Sequence, residues 1–117
     1  SIDRVHKKYR NQCAQILLVK YMVLLKTEQD IITNICRFEP SVIPNRKTLS
    51  GILKTKYENF ETLNLVCNDL LNRLVADDDF NDSVENRKII SQLSGSLHSY
   101  KEYQSKLMEM IKDFNAA

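Results

Sequence analysis

Along most of its length this chain places an apolar residue every third or fourth position, and almost nothing interrupts the pattern. Only two glycines and two prolines occur in 117 residues. Steps of three and four keep side chains on one face of an α-helix, and so few chain breakers leave room for long elements only. Frequent-turn architectures such as β-sandwiches need far more of both residues.

Three segments carry the pattern. In the first, about residues 2–38, the line runs Ile2, Val5, Tyr9, Cys13, Leu17, Tyr21, Leu24, Ile31, Ile35 and Phe38, with Glu28 as its interruption. This helix is expected to stop at Glu39-Pro40, because the residue before a proline is pushed out of the helical region. The second segment, about 47–76, repeats Leu49, Leu53, Tyr57, Phe60, Leu63, Cys67, Leu70 and Leu74, widened by Ile52 and Leu71, with Asn45 or Thr48 as candidate cap. The third, about 83–115, runs Ile90, Leu93, Leu97, Tyr100, Gln104, Leu107, Ile111 and Phe114. Asp82 with Glu85 resembles a capping box at its start.

Three helices of similar length joined by short connections must alternate in direction, so the expected fold is an all-α, up-down-up three-helix bundle spanning residues 1–117 as one domain. A chain of this length buries a core without metal or disulfide staples. Its shape resembles the spectrin repeat and the regulatory three-helix domain of syntaxins, a likeness of helix number and length that no diagnostic motif accompanies. The absence of an initiator Met at Ser1 reads as a segment of a longer protein.

Composition narrows the function classes. Seventeen Lys and Arg against fifteen Asp and Glu give a formal charge of +2, far from the excess that phosphate neutralisation demands, so nucleic acid is not expected as a partner. The longest apolar run, Ile16 to Leu25, contains Lys20 and is about half of the ~20 residues that cross a bilayer, so no membrane span is expected. Cys13, Cys36 and Cys67 are widely spaced and form no C-x-x-C pair, which favours an intracellular protein over a disulfide framework or zinc site.

No catalytic residue, metal site or cofactor is expected. The histidines His6 and His98 lie off the lines that hold the cysteines, leaving each thiol without a base, and the cysteines read as core filler. Asp77, Asp79 and Asn81 alternate like the start of a calcium loop, but Asp82 stands where glycine belongs and Lys88 where a bidentate glutamate belongs. The segment 77–82 reads instead as a solvated linker whose carboxylates favour the positive end of the third helix.

Two surfaces remain. Between Ile16 and Leu25 a helical wheel places Val19, Met22 and Val23, flanked by Leu18, opposite the core line, on a face that is polar before and after: a partner-binding patch for another protein or a second copy of this one. The alternatives are a scattered exposed patch or cover from a tilted neighbouring helix. Arg46, Lys47, Lys54 and Lys56 cluster at the head of the second helix as a candidate site for an acidic or phosphorylated ligand. The expected function is therefore a non-enzymatic interaction or scaffolding module of a larger intracellular complex. The second expectation is a regulatory or adaptor bundle in membrane traffic that uses the basic cluster. Ser91, Gly95 and Ser99 form a small-residue row that reads as an uncrowded solvent face.

Overall fold

The computed structural model describes residues 2–38 and 44–116. The chain forms three α-helices, α1 (Ile2–Cys36), α2 (Arg46–Val75) and α3 (Val84–Ala116), with a 3-10 turn at Phe80–Asp82 and, among the described residues, no strand. All three pairs of helices meet, α1 and α2 most extensively. The Glu39-Pro40 stop lies outside the described residues. The bundle measures 63 × 22 × 15 Å, so each helix has one buried face and a long perimeter.

On α2 and α3 the buried seam is the one the periodicity predicts. Leu53, Phe60, Cys67, Leu71 and Leu74 are buried from α2, and Ile90, Leu97, Leu107, Ile111 and Phe114 from α3. Phe60 meets Tyr100 edge to face with ring centroids 6.2 Å apart. Gln104, the polar member of the α3 seam, donates to Tyr57 Oη and Glu61 Oε2 at 3.3 Å each.

On α1 the seam differs. Leu18, Leu25 and Ile32, seven residues apart, are the fully buried side chains, with Ala14, Tyr21, Met22 and Ile35 packed beside them. Leu17 and Leu24, expected inside, are about two-fifths exposed, and Ile2, Val5, Tyr9 and Phe38 are more exposed still. The predicted line runs through four successive steps of four residues, from Val5 to Tyr21. Each such step overshoots a helical turn by about 40°. The line therefore winds from the outer face of α1 round to its core face.

Glu28, the one interruption of that line, sits inside the bundle. It is largely buried, and Lys56 of α2 lies 3.3 Å from its Oε2 and donates to Oε1 at 3.4 Å. A second polar group in the core, Asn64 of α2, is 4% exposed, and neither its Oδ1 nor its Nδ2 has a hydrogen-bond partner among the described residues. A buried polar residue in a helical seam costs stability and penalises other registers.

The connection between α2 and α3 is built rather than solvated. Asn81 Nδ2 donates to the carbonyls of Leu74, Val75 and Asp77 at 2.8, 3.1 and 2.7 Å, closing the C-terminal end of α2. Phe80 is buried above the core. The cap of α3 is Ser83, whose Oγ accepts the Asn86 N–H, and not the Asp82–Glu85 box expected. Asn45 does precede α2, but its side chain makes no capping bond. A methyl group at Gly95 would touch nothing within 4 Å, consistent with the Ser91–Gly95–Ser99 row as a solvent face.

Two outcomes follow for stability. Leu25→Ala should cost about 2–5 kcal/mol in chemical denaturation, and Leu24→Ala, one position round the helix, should cost well under half as much. Asn64→Leu should raise the melting temperature, because it removes a buried polar group that has no partner.

Candidate partner-binding face

The rotation of α1 decides which side chains face outward. Nine positions separate Ile16 from Leu25, about two and a half turns, so the two point to opposite sides. Ile2, Tyr9, Ile16 and Val23 recur every seventh residue and are 74, 64, 66 and 62% exposed. Val5 and Val19, at 52 and 46%, occupy the companion position three residues further on, and exposed Gln12 fills the step between them. These residues form a second heptad stripe, turned away from the buried one and on the order of 30 Å long, with Val5 and Gln12 at the edge that borders Asp79, Phe80, Asp82 and Asn86. It ends where its next two positions are Lys26 and Asp30, ion-paired at 2.9 Å.

Of the four residues expected in the patch, Val19 and Val23 lie on this stripe. Met22 is half-buried and packs against the core, and Leu18 is fully buried, which corrects its assignment to the patch: seam and patch are adjacent positions of one helix, and the buried seam passes through Leu18. Ile2, Val5, Tyr9 and Ile16 belong to the stripe and were missed. The signal was their spacing of seven and three, hidden because three of them, Ile2, Val5 and Tyr9, also extend the apolar line toward the core.

The N-terminal half of α1 is the least covered part of the molecule. Residues 2–10 are all exposed, and the first fully buried side chain is Leu18. What holds this end is polar. Lys7 Nζ lies 3.5 Å from Asp77 Oδ2 and 3.8 Å from Asp79 Oδ2. The buried Asp77 carboxylate also accepts the Phe80 N–H at 2.9 Å and a side-chain hydrogen bond from Asn11. Burial alone would raise its pKa, but Asn11, the Phe80 N–H and Lys7 together hold it below the usual carboxylate value. The segment Asp77–Asp82 thus works as a cap and an anchor for α1, and no group of three His, Cys, Asp or Glu placed to hold a metal ion occurs among the described residues.

The basic cluster does not act as one surface. Arg46 donates from Nη2 to the carbonyls of Phe114 and Asn115 at 2.8 and 2.9 Å, tying the start of α2 to the end of α3, and Lys56 is engaged with Glu28. Lys47 and Lys54 are exposed. The cysteines are dispersed. Cys67 is buried and its thiol is pushed up to about 11 by desolvation, and Cys36 is half-buried and raised for the same reason. Cys13, expected in the core, is exposed on the uncovered half of α1. Seven residues along the helix from His6, it is about 10 Å from that base, too far for a hydrogen bond.

Searches with family models, among curated proteins and among solved structures return no match. Among the described residues, no helix is long and apolar enough to cross a membrane.

A carboxyl group whose pKa is depressed on folding contributes stability that is present above its unfolded pKa of about 3.9 and lost as pH falls through the folded value. Asp77→Asn keeps an acceptor for Phe80 but removes the charge. The stability difference between wild type and this variant should be constant from neutral pH to about 5 and should shrink as pH is taken below the ordinary aspartate range, as measured by urea denaturation at each pH.

Proposed function

We propose that this chain is a non-enzymatic protein-interaction or scaffolding module of a larger intracellular assembly, and that the outer stripe of α1 is its contact surface. The observation that carries the reading is the seven-residue recurrence of exposed apolar side chains at Ile2, Tyr9, Ile16 and Val23, with Val5 and Val19 beside them. Isolated exposed aliphatics are ordinary on protein surfaces, but a heptad register of them is what a helix presents to another helix. Covering a fully exposed Val or Ile gains about 1.5–3 kcal/mol, and the six stripe residues, five of them Val or Ile and all between 46 and 74% exposed, contribute part of that each toward the entropic cost of association. Three widely separated, unpaired cysteines are in keeping with a reducing compartment.

The test separates the two faces of one helix. Val19→Asp combined with Val23→Asp should keep the helical circular-dichroism signal and a cooperative melt, whereas Leu18→Asp should unfold the protein. Quantitative affinity capture with the folded double variant should lose proteins that wild type recovers. If the double variant unfolds as Leu18→Asp does, or recovers the same proteins as wild type, the stripe is not the contact surface.

A further inference from the structure

The stripe of α1 matches itself when it is turned end for end. Helices that pair antiparallel run their numbering in opposite senses, so a two-fold axis level with Ala14 sets each residue against its mirror position in the sequence. Val5 then meets the partner's Val23, and Tyr9 meets the partner's Val19, a large side chain against a small one. Gln12 meets the partner's Ile16 and lies beside the partner's Gln15, an amide that can both give and accept a hydrogen bond. At either end Ile2 lies against the aliphatic stem of the partner's Lys26. Net charge along this edge selects no partner, because Val5 and Gln12 are bordered by Lys8 and also by Asp79 and Asp82. The arrangement of charge favours antiparallel copies. Lys8 falls against the partner's Met22 and Lys20 against the partner's His6, so no lysine faces a lysine, and the Asp79–Asp82 end of one copy runs toward Lys26 of the other. A parallel pair would set Tyr9 on Tyr9 and gather Asp79 and Asp82 of both copies at one end.

We infer that the stripe pairs with the same stripe of a second copy of this chain, antiparallel about a two-fold axis level with Ala14. This rests on the reading of the stripe as a contact face and names its occupant. Two-fold dimers are the commonest assemblies of identical chains, and they require a surface complementary to itself, which this spacing supplies. A strip on the order of 30 Å long and one helix wide, roughly 10 Å, offers about 300 Å² to its neighbour, short of the ~800 Å² per partner of stable complexes. The dimer is therefore weak and forms as concentration rises. Affinity capture with a tagged chain recovers untagged copies of the chain itself.

Sedimentation equilibrium of the full chain should show monomers giving way to dimers as concentration is raised from about 1 to about 500 μM, the range expected of so small a contact. Val19→Asp with Val23→Asp should weaken dimerisation about tenfold or more while the helical signal is kept. Tyr9→Glu, in the half of α1 that has no fully buried side chain, is the second variant and should do the same. Orientation is read by cross-linking. Antiparallel pairing brings the two exposed Cys13 thiols to one edge near the axis, so a short bismaleimide should join the copies and Cys13→Ser should remove the link; a parallel pair puts those thiols on opposite edges. A monomer at every concentration would overturn the second copy and leave the stripe as a face for a different protein, which the capture experiment decides. A dimer that survives the substitutions lies elsewhere and overturns the proposal, and one that they dissolve but Cys13 does not link overturns the antiparallel arrangement. Binding of a monomer to phosphatidylserine vesicles, lost with Val19→Asp and Val23→Asp, would assign the stripe to a membrane and overturn both readings.

Discussion

The rotation of α1 about its own axis governs everything else in this molecule. It is set by Leu18, Leu25 and Ile32, each shielded completely from solvent, and by Glu28, which can be inside only because Lys56 reaches it from α2. Turning α1 by one residue would bring Leu17, Leu24 and Ile31 inward at little hydrophobic cost, since those side chains are of similar size. It would also carry Glu28 away from its lysine. An ion pair half inside a bundle adds little net stability, because desolvation offsets most of the attraction, but it discriminates sharply between arrangements that aliphatic packing treats as equivalent.

The same discrimination recurs elsewhere as polar contacts that bind one helix end to another. Arg46 fastens α2 to the last carbonyls of α3, Ser50 reaches Asn115 at 2.6 Å, and Asn81 closes α2 while Arg87 of α3 donates to the Asn81 carbonyl at 2.6 Å. Leucine-rich seams slide easily in steps of a turn. Fixed contacts at the ends give the long helices one register.

The readability of the sequence differed between helices for a definite reason. In α2 and α3 the periodic apolar residues gather on one face, with Ile52, Leu65, Val66 and Val75 of α2 and Val84 of α3 as exposed exceptions, so their seams, from Leu53 to Leu74 and from Ile90 to Phe114, follow from the periodicity. In α1 the run from Ile16 to Leu25 is apolar round most of the helix, and steps of three and four can be drawn through Leu17 and Leu24 as well as through Leu18 and Leu25. Pattern alone cannot choose between those phases; the choice depends on Lys56, a residue of another helix. The basic cluster was overcounted for a related reason. Arg46 and Lys56 look like surface cations in one dimension, and only the neighbouring helices reveal the carbonyls and carboxylate that engage them.

The uncovered beginning of α1 has a consequence for its dynamics. A helical stretch with no fully buried side chain before Leu18 draws its order from the helix that continues it and from the Lys7–Asp77 contact, and an isolated segment of that length is marginally helical in water. Its backbone amides therefore open more readily than those around Leu25, and exchange protection should grade along one continuous helix. Anything that clasps this end must first hold it helical, and part of its binding energy is spent on that ordering. The proposed contact face and the most easily unwound part of the fold overlap over the first four turns of α1.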